Sequence, residues 1–190
     1  TLGSGQTVRG WGQIAAPIVN DGLIRASVAG QSLILNTSGK TNNAQIEAAP
    51  SSTLQINSIT VTQSPSGSIL ADSGTVNLTN ATLTGGALEA AGTGRFVGVS
   101  GNQTLSNLML DAPFDVNVNT GAILSGAIEN NGTITVNPQG NGSFTTSLIV
   151  SGPVSMTGDG EIVLVIPSGA SQIADGGAGL LTMGPDNRLR

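Results

Sequence analysis

Between Asn20 and Leu35 the chain reads NDGLIRASVAGQSLIL, and its apolar residues recur at alternate positions. Ile24 and Ala26 alternate with Arg25 and Ser27, so an extended strand here turns one face to a core and the other to solvent. A turn at Gly30 follows, and Leu33 and Leu35 open a second strand.

The triplet of large aliphatic, free position and alanine returns as Ile46-Glu47-Ala48, Ile69-Leu70-Ala71 and Leu88-Glu89-Ala90. With the alanine replaced it continues as Leu108-Met109-Leu110, Ile128-Glu129-Asn130 and Leu148-Ile149-Val150. From Ile24 the large residues stand 22, 23, 19, 20, 20 and 20 positions apart, at the short end of the range where solenoid repeats are found. Two further columns keep the same step: Leu35, Ile56, Leu78, Val97, Val118, Val136 and Met156, and Val61, Leu83, Leu105, Leu124, Phe144 and Leu164. Three inward columns imply three short strands per coil. The expected fold class is therefore all-β, a three-sided parallel β-helix (β-solenoid) with coils of about 20–22 residues, each hydrogen-bonded to its neighbours at roughly 4.8 Å. The outward position of the first strand should form a ladder Arg25, Glu47, Leu70, Glu89, Met109, Glu129, Ile149. That order sets Arg25 beside Glu47 and keeps like charges off adjacent coils.

Residues 1–166 are assigned to the solenoid, with 1–19 as an irregular first coil. Residues 167–190 read as a non-repeat tail, a cap or a crossing segment. Ile162 to Ile166 is apolar on both faces and calls for a cover on its outer side. Trp11 is expected to cover apolar surface near the N-terminal end. Pro65, Pro113, Pro138 and Pro153 are placed between strands, where a missing amide costs nothing, and no segment has helical periodicity.

Composition sharpens this picture. Charged residues are only 9% of the chain and aromatics 2%, but a positive mean hydropathy and periodic aliphatics argue against disorder. Glycine, Asn, Ser and Thr supply the corners instead. A net charge of -5 with Lys40 as the sole lysine leaves no electrostatic footprint for nucleic acid, and no apolar run is long enough to insert into a bilayer. The chain has no cysteine and no histidine, which removes disulfides, thiolate metal sites and the commonest general base. It opens at Thr1 without a signal segment and reads as a processed product or an excised piece.

Units such as IVNDGLIRA and IENNGTITV, an Asn-x-Gly turn leading into a strand, resemble the repeats of secreted bacterial β-helix proteins: autotransporter passengers and filamentous-haemagglutinin-type adhesins. The resemblance is one of repeat style, spans residues 1–166, and carries no residue-level motif. It implies a right-handed helix at a cell surface or in extracellular matrix, with adhesion or scaffolding as its role.

Candidate chemistry is sparse. Three acidic groupings come into question: Asp111 with Asp115, Asp159 with Glu161, and Glu89 with Glu129. Clustered carboxylates serve polysaccharide lyases and hydrolases, with calcium or as an acid and base, yet turn corners also favour Asp for its local hydrogen bonds. The outward residues Thr60 and Thr62, Thr82 and Thr84, Thr104 and Ser106, Ile123 and Ser125, then Ser143 and Thr145 would stack as a flat hydroxyl and methyl array of the ice-binding kind. The plain alternative is that threonine suits an exposed strand. Sequons at Asn36, Asn77, Asn80, Asn102, Asn131 and Asn141 are expected by chance in such a composition. No catalytic residue, metal ligand or cofactor is assigned. The expected role is a non-enzymatic, extracellular structural or adhesive segment. Its partners would be further coils or other copies of itself, end to end, or cell-surface or matrix polysaccharide.

Overall fold

A computed structural model describes residues 1–140, 144–166 and 170–190. Among these there is no helix, and parallel strands stack as the coils of a β-solenoid. A first face starts with Thr7–Gly10, Leu23–Ala26, Gln45–Ala48, Ser68–Asp72 and Ala87–Ala91. A second runs from Gly12–Ile14 and Ser32–Leu35 through Thr53–Asn57 and Thr75–Thr79 to Glu161–Leu164. A third begins with Ile18–Asn20, Lys40–Asn42, Thr60–Gln63 and Thr82–Thr84.

From there on, the third and first faces are joined by continuous strands, Asn102–Asp111, Gly121–Asn130 and Thr145–Thr157. The corner between them is turned by one left-handed residue in each strand, Asn107 (φ 50°), Gly126 (φ 72°) and Gly152 (φ 69°). At Gly126 a Cβ would come within 2.2 Å of Asn107 Oδ1, so glycine meets both the backbone and the spatial demand there. Pro153 lies just past Gly152 inside the last of these strands, not between strands.

This compressed corner explains where the sequence columns slip. Val8, Ile24, Ile46, Ile69 and Leu88 stack as one column, and the residue above Leu88 is Leu110, not Leu108. Leu108 is still buried, but it begins another column with Ile128, Met156 and Met183. Leu148 belongs to the third face, between Ala122 and Ile173. Leu35, Ile56, Leu78 and Val136 hold as expected, with Gly98, Val116 and Leu164 in place of Val97, Val118 and Met156. Val61, Leu83, Leu105 and Leu124 hold, with Val150 next. Phe144 instead is 68% exposed, and Leu164 lies on the second face.

A column missed from sequence runs down the second face as Leu33, Leu54, Val76, Phe96, Phe114, Ile134 and Ile162. Its steps of 21, 22, 20 and 20 match the expected coil, the step from Phe96 to Phe114 is shorter at 18, and the last, Ile134 to Ile162, is 28. The coil lengthens by six positions between Val136 and Ser147, compared with Val116 and Gly121 one coil earlier, and by two between Val150 and Val154, compared with Leu124 and Gly126. The repeat also continues past residue 166. Ala170–Asp175, Leu180–Met183 and Arg188–Leu189 each pair in parallel with an earlier coil, where the sequence suggested a cap or crossing segment. Arg188–Leu189 pairs along the edge of Glu161–Leu164, with Leu164 N–H donating to Arg190 O, and leaves the outer face at Val163 half-buried without the expected cover. In the turn of this segment Asp175 accepts the N–H groups of Gly177 and Gly179, which hold its carboxyl below the usual range.

The first coil is regular too, with strands on all three faces. Trp11 sits between Gly10 (φ 133°) and Gly12 (φ 116°) and is 65% exposed; a corner residue between two glycines projects outward instead of covering the coil end.

Polar residues also enter the core. Asn20, Asn42 and Gln63 occupy successive inward rungs where the third face meets the first. Asn20 Nδ2 donates to Asn42 Oδ1 at 2.8 Å and Asn42 Nδ2 to Gln63 Oε1 at 3.0 Å. The same amides donate to Gln45 O, Ser68 O and Gly85 O, so each side chain ties its own coil to the start of the next. Gln103, fully buried, fills the space left by Gly98 and donates to Ser100 O at 2.8 Å.

Candidate functional site

The surface follows from these registers. On the first face the outward ladder runs Arg9, Arg25, Glu47, Leu70, Glu89, Asp111. Arg25 and Glu47 meet as expected, Nε to Oε1 at 2.8 Å, although the Nε–H is not aligned for a hydrogen bond. A partly exposed pair of this kind contributes about 0–1 kcal/mol. The expected separation of like charges fails, because Arg9 lies beside Arg25 and Glu89 beside Asp111. Met109 and Glu129 form a separate column, and Ile149 belongs to the third face.

None of the three acidic groupings comes together as a pair of free carboxylates. Asp111 ends a first-face strand, while Asp115 lies on the second face with Arg95 Nη1 3.5 Å from its Oδ2. Burial pushes the Asp115 carboxyl up, and Arg95 draws it partly back. Glu89 and Glu129 occupy different columns. Asp159 and Glu161 share a depression of about 250 Å³ with Arg188 and Arg190, and Arg190 Nε lies 3.2 Å from Glu161 Oε2. It adjoins a second depression, of about 290 Å³, at Asn131, Gly132 and Thr133. Together they make a shallow groove along the corner between the first and second faces. Its floor is thin because Gly94, Gly132 and Gly160 stack there, each with a carbonyl oxygen within 2.3 Å of where a Cβ would stand.

The third face is built differently. Thr60, Thr82 and Thr104 are consecutive Cα partners, continued by Ile123 and Ile149. Beside them run Val19, Thr41, Thr62, Thr84, Ser106 and Ser125. The expected hydroxyl array is therefore real over its first four rungs. The next rung is Ser147 and Ile149, because the lengthened coil displaces Thr145; Ser143 and Asn141 lie outside the described residues. Among the described residues no outward position of this face, from Val19 to Ala174, is charged.

Among the described residues Lys40 is the one cation turned into the core, on the rung before Val61. Its Nζ donates to Asn36 O at 3.0 Å and to Ser38 O, and burial lowers its pKa from the ordinary 10.5. With no histidine, cysteine or tyrosine in the chain, it is the only side chain that loses its charge in the window between its lowered pKa and the ordinary lysine value. In that window the unfolded chain binds more protons than the native one, so stability should rise as the pH climbs from the lowered value toward 10.5. Urea melts at intervals across this window check it. The rise should vanish in Lys40→Met, and a native protein whose midpoint is flat there would mean Lys40 is not desolvated.

The inward Asn and Gln rungs escaped the sequence reading, although their parity was visible. Ile18-x-Asn20, Lys40-x-Asn42 and Val61-x-Gln63 keep the period of two, which places the polar residue on the core side. Comparison of the chain with family models, with curated proteins and with solved structures finds no match. No helix among the described residues is long and apolar enough to cross a membrane.

Proposed function

We propose that the chain is a non-enzymatic structural or adhesive segment of an extracellular β-solenoid, at a cell surface or secreted, in the manner of the adhesins its repeats resemble. One observation carries this reading. Every coil pairs in parallel with the next, and among the described residues Thr7–Gly10 and Gly12–Ile14 in the first coil and the strands of the last coil present outer edges that pair with no strand, while Leu2 alone bridges to the edge of Ile18–Asn20. Such edges accept a further parallel rung. A repeat whose stability is a sum of neighbouring coils gains with every rung added. Further coils of the same polypeptide, or the opposite end of a second copy in a head-to-tail filament, satisfy the same groups. Polysaccharide of the surface or matrix is the second class of partner, met along the sides.

Sedimentation of the 190-residue chain across a concentration series tests this. The mass should grow through a ladder of species toward filaments. A monomer that persists at high concentration would show that the edges do not act as joints.

A further inference from the structure

Independently of the scaffold reading, we infer that the third face binds ice, the crystalline surface of water itself. The argument rests on what this face presents and what it lacks. Thr60, Thr82 and Thr104 form one outward column and Thr41, Thr62, Thr84, Ser106 and Ser125 the next, in unbroken Cα register. Within a strand the two columns stand about 6.6 Å apart, and successive coils about 4.8 Å. The result is a two-dimensional grid of hydroxyl and methyl groups, at spacings close to the oxygen repeats of the ice lattice. Threonine is stiff at χ1, so both groups are held in place. Among the described residues the hydroxyls of Thr41, Thr60, Thr62, Thr82, Thr84 and Thr104 have no hydrogen-bond partner.

Rigidity comes from beneath. The Asn20–Asn42–Gln63 rungs bind three coils together directly under the first part of this grid, and Leu83, Leu105 and Leu124 continue the packed interior. A grid fixed before contact gives up little conformational freedom on meeting a lattice.

The other occupants fit less well. Protein interfaces anchor on Trp, Tyr and Arg, and this face has none of them. Sugar rings dock on aromatic planes, and Trp11, the sole tryptophan, lies between the first and second faces. Absence of charge counts in favour of ice, since a charged side chain keeps its own hydration shell and resists transfer into an ordered one. Ile123 and Ile149 extend the methyl part of the grid without adding charge.

The full chain should inhibit ice recrystallisation and shape growing crystals, and a fluorescently labelled sample should concentrate on an ice hemisphere. Thr82→Lys, at the centre of the grid, should raise the concentration required by about tenfold or more, since a charge must then be desolvated at the contact. Thr62→Lys is a second variant at an exposed position, and Thr135→Lys on the second face is the control that should leave activity unchanged. Circular dichroism and melting temperature establish that each variant is folded. No activity in the native chain, or full activity in a folded Thr82→Lys or Thr62→Lys protein, would overturn the assignment. Retention on insoluble cellulose or chitin with the same dependence on Thr82, and none on ice, would overturn it in favour of a polysaccharide lattice.

Discussion

Phe114→Ala should be among the most damaging single changes in the chain, lowering stability by about 3–5 kcal/mol. Phe114 is fully buried on the second face, stacked between Phe96 below and Ile134 above, and Phe96 is fully buried as well. In a globular core, neighbouring elements can settle into part of a cavity. Here the backbone ladders fix the separation of coils at roughly 4.8 Å, so collapse toward the cavity is opposed by every hydrogen bond of the rung. The coil is also short at this point, with 18 positions from Phe96 to Phe114, and little slack remains to shift the strand inward. The check is the urea midpoint of the variant, followed separately by far-ultraviolet dichroism and by fluorescence of Trp11 in the first coil. A wild-type midpoint by both probes would place Phe114 outside the packed interior. Loss of the dichroism transition before that of Trp11 would show coils separating at the damaged rung, as a quasi-one-dimensional stack allows.

The fold was legible because a solenoid writes the same instruction many times. Ile24, Ile46, Ile69 and Leu88 read correctly as one column because their corners have similar lengths, and the pairing of Arg25 with Glu47 followed from that register alone. Reading failed where a corner changed its form without changing composition. Between Ser106 and Leu108 the turn shrinks to Asn107 in one continuous strand, which moves Leu110 into the place expected for Leu108. Nothing in NLMLD marks that change, since Leu108 and Leu110 both have inward parity. The step from Ile128 to Leu148 matched the period by coincidence, while the true partner, Met156, lies 28 positions on.

Surface features divide in the same way. The hydroxyl columns were visible because Thr-x-Thr recurs with the coil. The corner groove was not, because it brings Asn131, Asp159 and Glu161 together with Arg188 and Arg190, and the last two belong to a segment that lacks the repeat's aliphatic signature. A search for apolar periodicity is also blind to an inward Asn. The core positions of Asn20, Asn42 and Gln63 satisfy their polarity by bonding to one another and to the carbonyls of the following coil.

That last arrangement leads to a sharp expectation for Asn42, the middle rung. Its side chain accepts from Asn20 Nδ2 at 2.8 Å and donates to Gln63 Oε1 and to Ser68 O, both at 3.0 Å. Asn42→Ala removes all three contacts and leaves Gln63 Oε1 and Ser68 O in the interior without this donor. At about 1–3 kcal/mol for each buried group left unmade, the loss should come to about 2–5 kcal/mol. Asn42→Asp separates hydrogen bonding from packing, because it keeps the shape and exchanges the donor for an acceptor. As a carboxylate, Asp would turn an oxygen toward Gln63 Oε1 and Ser68 O, acceptor against acceptor, in a fully buried site. As a neutral acid it could donate to one of them. Burial and these acceptors both raise its folded pKa above the ordinary value of about 3.9. The native variant then binds more protons than the unfolded chain between the two values. Its stability relative to wild type should be greatest below about pH 4 and should fall as the pH rises through the raised pKa. Urea midpoints of both proteins, compared at acidic and neutral pH, measure this difference. A deficit that stays constant with pH would mean that the carboxylate reaches solvent and that the ladder is not closed at Asn42.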